Sequence, residues 1–273
     1  MNYQTFEPHP DLSALVKCYW TLEIPEQKDA QKQLILPDGC MDMIFNLDAD
    51  IKRYTSESTF IIQPKAMILG QISDTFFVEP TGSVHSFGIR FFPYGFMSLT
   101  QLDLKHLSNK ETPLNEIFGE MIASDLSRQI TASNNTSERI EVIERFLRNQ
   151  ISKDSTIEST LKQTIDLMIL SKGSKRVGDI SKTYVNDRRQ LERSFRKNIG
   201  ISPKQFCKVI RLQAALSLLL NDETDQLTRV AYECQYFDQA HFTKDFKEFT
   251  GINPSEFKFA EHLQLSSLFY KKG

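Results

Sequence analysis

Two stretches of this chain, fifty residues apart, carry the same design. In the downstream one, Leu227, Val230 and Ala231 fall on one helical face, the chain breaks at Gln235-Tyr236-Phe237, and Asp238 opens a second helix. That helix repeats apolar residues at Phe242, Phe246 and Phe249 and stops at Gly251, with Pro254 beyond. In the upstream copy Val177, Ile180 and Tyr184 share a face and a turn falls at Val185-Asn186. Asp187 then opens a helix that turns Leu191 and Phe195 inward and ends at Gly200, with Pro203 beyond. Both copies close on Gly-Ile-x-Pro, at Gly200-Ile201-Ser202-Pro203 and Gly251-Ile252-Asn253-Pro254. Spacings of three and four residues suit helices and not strands, so this part of the chain is expected to be all-α, with a duplicated helix-turn-helix.

Charge follows the repeat. The formal net charge is -2, but residues 1–157 hold 14 Lys and Arg against 21 Asp and Glu, whereas residues 158–273 hold 19 against 14. Between Lys172 and Arg211 there are twelve basic and three acidic residues. A basic block lying on a helix-turn-helix points to phosphate neutralisation. In such a motif the second helix enters the major groove and its outward side chains meet base edges. Those positions are Arg188, Arg189, Glu192 and Arg193 in the first copy and Gln239, Ala240, His241 and Lys244 in the second. Arginine suits guanine, glutamine suits adenine and an alanine methyl suits thymine. Lys175, Arg176, Arg196, Lys204, Thr243 and Lys247 are expected on phosphates, as is the helix N-terminus near Ser202. A helix over 203–221 would hold the copies apart by about 27 Å, at about 1.5 Å rise for each of about 18 residues.

Residues 158–257 resemble the two-helix-turn-helix DNA-binding domain of AraC/XylS-type transcription regulators. The match is carried by Arg189-x-Leu191-x-Arg193-x-Phe195, Gly200-Ile201-Ser202-Pro203, Arg211-x-x-x-Ala215, and Asp238-Gln239-Ala240-His241-Phe242 through Thr250-Gly251. The resemblance implies a sequence-specific transcription regulator acting on double-stranded DNA, and it allows a second copy of the chain and RNA polymerase as partners. The alternative is a nucleic-acid-binding protein without sequence preference, against which the ordered Arg189/Arg193 and Gln239/Lys244 faces speak. This chain departs from the family at Gln235, where the family carries Gly before an aromatic, and at Ser181 and Val185, where Ala and Gly are usual.

The first part of the chain reads differently. Short β-rich runs at 16–24, 33–36, 41–47, 59–62, 66–69, 75–78 and 84–91 are broken at Pro25, Pro37-Asp38-Gly39, Pro64, Gly70, Pro80-Thr81-Gly82 and Pro93-Tyr94-Gly95. This spacing fits a small β-barrel or sandwich. Pro37-Asp38-Gly39-x-x-Asp42-x-Ile44-Phe45 and residues 88–96 are similar to the cupin-like sensor domains of some AraC-type regulators. Trp20, Phe45, Phe77, Phe87, Phe91 and Phe92 could line a ligand cavity or fill the core. Arg90, set between apolar neighbours, would pair with a barrel carboxylate or bind an anionic effector. Asp38 and Asp42 flank a turn and are read as capping it. His9, His85 and His106 are scattered, no H-x-H or C-x-x-C pair occurs, and no nucleophile–base pair is evident, so no metal, cofactor or catalytic residue is expected. Cys207 and Cys234 are read as small buried hydrophobes.

Between these parts, Thr112-Pro113 reads as a helix start, followed by an apolar stripe at Leu114, Ile117, Phe118, Met121, Ile122 and Leu126. A second helix, from Ser137, turns Ile140, Ile143, Phe146, Leu147 and Ile151 inward. The pair would pack on the barrel or form a two-fold dimer interface. The expected architecture is thus α+β and multidomain, with a small cupin-like β-barrel sensor at 1–112 and a helical pair with a polar linker at 113–157. An all-α DNA-binding domain at 158–258 holds two helix-turn-helix motifs on a long linker helix, and a tail follows at 259–273. No apolar run approaches the roughly 20 residues that cross a bilayer, and no leader pattern opens the sequence, so the expected compartment is the cytoplasm.

Overall fold

The computed structural model describes residues 1–27, 31–151, 159–184, 187–220, 226–257 and 261–270. The strands are β1 (Asn2–Phe6), β2 (Val16–Ile24), β3 (Gln33–Ile35), β4 (Met41–Asn46), β5 (Ile51–Tyr54), β6 (Phe60–Ile62), β7 (Ala66–Leu69), β8 (Phe76–Pro80), β9 (Val84–Phe91) and β10 (Glu111–Pro113). They form two antiparallel sheets, one ordered β1-β2-β9-β4-β7-β10 and the other β3-β8-β5-β6. The larger sheet is centred on β9, whose Phe87, Ile89 and Phe91 stand beside Phe45, Met43 and Met41 of β4. Every residue of β4 is buried, because both faces of this sheet are covered. One face looks across at the smaller sheet and encloses a cavity, and the other carries helices.

Those helices are α1 (Leu114–Phe118), α2 (Glu120–Ala132) and α3 (Thr136–Gln150). Ala123, Leu126, Ile130, Ile143 and Leu147 join Tyr19, Phe45 and Phe87 in one core. The helical start expected at Thr112 is displaced. Thr112 and Pro113 pair with Ile68 and Met67 as strand β10, and the helix begins at Leu114 with Pro113 as its cap. The expected stripe is also broken, because Gly119 at φ 83° separates α1 from α2. Beyond that break the helical phase is reset, and Met121 stands 85% exposed.

The second half holds α4 (Ser159–Leu170), α5 (Val177–Tyr184), α6 (Arg188–Asn198), α7 (Pro203–Leu220), α8 (Leu227–Glu233), α9 (Gln239–Thr250) and α10 (Gln264–Tyr270). The turn expected at 185–186 and the linker expected at 152–156 lie outside the described residues, as does the last residue of the expected long helix. Leu161, Ile165, Ile180, Leu191, Phe195 and Phe206 make the core of the first motif, which Tyr94 of the strand domain enters. Leu212, Leu216, Val230, Phe242 and Phe246 make the core of the second, together with Leu34 and Leu36. The strand and helix domains thus share both cores. Ser108 Oγ donates to Gly200 O at 2.8 Å, and Gln213 Nε2 to Pro37 O at 2.5 Å, across the same seam.

Candidate nucleic-acid interface and barrel cavity

Each motif is built on the same local rules. The carboxylate of Asp187 accepts the Arg189 N–H at 2.8 Å, and that of Asp238 accepts the His241 N–H at 2.7 Å, so α6 and α9 both open on an aspartate cap. Gly200 and Gly251 follow their ends at φ 98° and 76°, left-handed conformations that favour glycine. Leu191, Phe195, Phe242 and Phe246 are buried, which fixes the opposite faces outward. Arg188, Arg189, Arg193 and Arg196 are exposed on α6, and Gln239, Ala240, His241, Lys244 and Lys247 on α9, while Glu192 and Thr243 are half-buried among them. Lys175 and Arg176, just ahead of α5, and Lys204, in the first turn of α7, are exposed too. The strand domain packs on this half without covering these side chains.

Some of the outward groups are already oriented. The Thr228 hydroxyl on α8 donates to Gln239 Oε1 at 2.7 Å. The His241 ring stands edge-on to Tyr236 with centroids 5.4 Å apart, and its Nε2 lies 3.9 Å from the Asp245 carboxylate. Arg211 lies over the other ring of this group, 5.1 Å from the Tyr236 centroid, and donates to Gly173 O at 2.9 Å. Lys175 and Arg176 share a cleft of about 350 Å³ with Gln235, which brings basic groups ahead of the first motif beside the turn of the second. One expected phosphate position is different. The Ser202 hydroxyl donates to Gln205 Oε1 at 2.8 Å and the Gln205 N–H donates back to that hydroxyl at 3.2 Å, a capping box that closes the start of α7 with its own side chains.

The Gln235 departure is resolved by the backbone. Tyr236 N–H donates to Ala231 O and Gln235 N–H to Tyr232 O, both at 2.9 Å, the paired bonds of a Schellman turn. Gln235 takes the left-handed position at φ 54°. The turn therefore keeps its shape, and the side chain carries strain of about 1 kcal/mol. Sequence reasoning missed three residues here. Thr228 sits far from Gln239 in sequence and only the fold joins them. Phe237, next to the Asp238 cap, is 92% exposed, and Tyr232 on α8 is 83% exposed. Their signal was present, since two large rings fell at positions that no core face claimed.

The strand domain encloses a cavity of about 100 Å³ between its sheets. Trp20, Ile44, Asn46, Met67, Ser86 and Arg90 line it from the larger sheet, and Ile35, Ile51, Phe76 and Val78 from the smaller. Phe45 does not line it. Side chains alternate along β4, so Ile44 faces the cavity while Phe45 turns to the helices and stacks on Phe87 at 6.4 Å. Phe87 and Phe91 lie with Phe45 in that outer core, Phe92 packs against the first motif, and Phe77 is exposed. Arg90 is paired: Nε lies 3.2 Å from Asp42 Oδ1 and a terminal nitrogen 3.3 Å from Asp38 Oδ2. Asp42 also accepts the Trp20 N–H at 2.8 Å, so it anchors the cavity rather than capping a turn. Burial pushes its carboxyl up against the pull of Arg90. Asp38 does cap, accepting the Cys40 N–H at 2.9 Å. Burial pushes the Cys207 and Cys234 thiols up to about 11 and the Cys40 thiol to about 12, which leaves little thiolate near neutrality.

Residues 4–113 match a family model described as a domain of unknown function, DUF6597, and residues 184–259 match one described as a helix-turn-helix domain. The chain is 36% identical over 66 residues to an uncharacterized HTH-type transcriptional regulator of Haemophilus influenzae, covering 24% of this chain and 22% of that protein. It is 34% identical over 101 residues to the HTH-type transcriptional regulator GbdR of Pseudomonas aeruginosa, covering 37% and 24%. It is 24% identical over 149 residues to the Msm operon regulatory protein of Streptococcus mutans, covering 54% and 50%. The matches span about a quarter to a half of these relatives' length. ToxT from Vibrio cholerae has the same overall fold, with a TM-score of 0.51 at 14% identity over 97% of this chain and 100% of that one. No helix among the described residues is long and apolar enough to cross a membrane.

Proposed function

We propose that this chain, whose helical half belongs to the AraC/XylS-type helix-turn-helix family, is a transcription regulator that binds double-stranded DNA sequence-specifically. The observation that carries this is the pair of aspartate-capped helices, α6 and α9, held on one shared frame with different exposed sets, Arg189 and Arg193 against Gln239 and Lys244. A binder that needs only charge gains nothing from two distinct, ordered faces, whereas base readout requires them. Arg188, Arg189, Glu192, Arg193, Gln239, Ala240, His241 and Lys244 are assigned to base edges. Lys175, Arg176, Arg196, Lys204, Thr243 and Lys247 are assigned to phosphates. With α7 as spacer, one protomer addresses two successive major-groove faces.

Residues 1–112 are assigned as the sensor, with a small molecule in the cavity beside Trp20 as effector. A second copy of the chain is the partner assigned to the helical pair, through the outward Met121 and Ile122. Met121→Glu would then leave a monomer in sedimentation, and an unchanged dimer would remove that face from consideration.

The deciding experiment titrates the full chain with duplex from upstream of its own gene and with random duplex, across salt. Sequence-specific readout gives preference for the first of on the order of a thousandfold. Equal affinity for both, with a steep salt slope, would leave only the phosphate contacts standing.

A further inference from the structure

We propose that α10 is the stopper of the strand-domain cavity, and that a compact, uncharged ligand with a hydrogen-bond acceptor for Asn46 loosens the second helix-turn-helix motif by displacing Leu265. This rests on the effector reading above and names its ligand class and its route to the DNA-binding half.

The segment that follows the second motif returns to the barrel. Leu265 N–H donates to Gln33 Oε1 at 3.1 Å, the Ser266 hydroxyl donates to Leu34 O at 2.5 Å, and the Leu36 N–H donates to Ser266 Oγ at 3.3 Å. Ser266 is fully buried by these bonds along β3. They aim the Leu265 side chain inward. It lines the cavity of about 100 Å³ and also a neighbouring one of about 50 Å³, and with Leu22, Ile51 and Val78, which line both too, it stands between two parts of one barrel interior.

The strand that receives this stopper is the strand shared with the second motif. Leu34 and Leu36 lie in one buried cluster with Leu216, Phe242 and Phe246, and Leu263 of the returning segment lies there as well. The cavity and α9 are therefore joined through β3 and residues 263–266. Displacing Leu265 breaks the bonds that hold those residues on β3 and removes support from the core on which α9 sits.

The cavity's own chemistry selects the ligand. Arg90 is already engaged by Asp42 and Asp38, so its guanidinium is not left over to bind an added anion. The group left over is Asn46. Its Oδ1 accepts the Ser86 hydroxyl at 2.9 Å, whereas its Nδ2 is buried without a partner in a side chain only 6% exposed. A buried amide donor in this condition is stabilised by any acceptor brought to it. The rest of the wall includes Leu22, Ile44, Ile51, Met67, Phe76 and Val78. An engineered cavity of about 150 Å³ takes a benzene ring. A cavity of about 100 Å³ is smaller, so a ligand of that size needs more room, and Leu265 is the wall residue that comes from the returning segment rather than from the sheets.

The test uses the full chain without DNA, so its failure and the failure of the DNA-binding reading are separable. Trp20 is the one tryptophan in the sequence and it lines the cavity, which makes its emission a local reporter. Acrylamide, small and uncharged, should quench it weakly in the unmodified protein and severalfold more in Leu265→Ala, with Ser266→Ala as the milder variant should the first fail to fold. Unchanged quenching in a folded variant would overturn the stopper. N,N-dimethylacetamide, a neutral acceptor, should shift Trp20 emission saturably and acetate should not, and the shift should vanish in Asn46→Leu. An equal response to acetate, or one that survives Asn46→Leu, would overturn the ligand class. Amide exchange should quicken across residues 227–250 in Leu265→Ala while residues 188–198 stay as protected as before. Equal change in both motifs, or none, would overturn the coupling.

Discussion

The Thr228 hydroxyl donates to Gln239 Oε1 at 2.7 Å and ties the first helix of the second motif to the opening residue of its recognition helix. A glutamine that reads adenine must present oxygen and nitrogen in a fixed order. Thr228 limits the rotation of that amide by holding one end of it, which lowers the freedom the glutamine must lose on reaching a base. Thr228→Val, which keeps the shape, should lower discrimination at one base pair by about 1 kcal/mol while leaving affinity for random duplex unchanged. Competition between duplexes varied at single positions would reveal it. A uniform loss over all sequences would mean that Thr228 only supports the fold.

Arg193 and Lys204 separate the two kinds of contact. Both are exposed, but Arg193 lies on the outward face of α6 and Lys204 in the first turn of α7. Arg193→Ala should cost about 1–3 kcal/mol on the preferred duplex and little on random duplex. Lys204→Ala should weaken both alike and reduce the salt slope by roughly 0.9. The reverse pattern would exchange the two assignments.

Much of this architecture was legible because its signals are local. The runs 16–24, 66–69 and 84–91 are strands with those bounds, each flanked by breakers or by a buried neighbour. Both recognition helices begin and end where Asp187, Asp238, Gly200 and Gly251 say they should. What was hidden depends on partners. β1, β5 and β10 are short and rich in polar residues such as Gln4, Lys52 and Glu111, and they are strands only because a neighbour pairs with them. Phe45 could not be placed from its own strand, since both faces of β4 are buried and alternation then carries no direction. The Arg90 pairing was readable as one of two alternatives, whereas its choice of Asp42 and Asp38 needed the register of β4 on β9.

Gln235 holds a left-handed backbone at φ 54° where glycine would be unstrained. Gln235→Gly should therefore raise stability by about 1 kcal/mol, less the larger chain entropy that glycine loses on folding. Urea unfolding would measure the gain as a higher midpoint at unchanged slope. A fall in the midpoint would mean that the glutamine side chain contributes more in its cleft beside Lys175 and Arg176 than its backbone loses.

Acid should weaken the strand domain through the contacts of Asp11. Arg148 donates to its two oxygens at 2.8 and 3.3 Å and His9 adds a shorter contact at 2.5 Å. The hydrogen bonds from Arg148 lead in holding the Asp11 carboxyl down at about 2. Because the folded value is depressed, the unfolded chain binds the extra proton first. The contribution is present above the ordinary value of 3.8 and is lost as pH falls through about 2. Asp11 is half exposed, so salt should screen this interaction strongly. Asp11→Asn should thus flatten the stability profile between pH 3.8 and about 2 in dilute buffer. In concentrated salt the two profiles should converge. If Asp11→Asn leaves the acid limb as steep in dilute buffer, the lability lies elsewhere, first at Glu79, whose carboxyl Lys52 and Tyr54 also hold below its usual range.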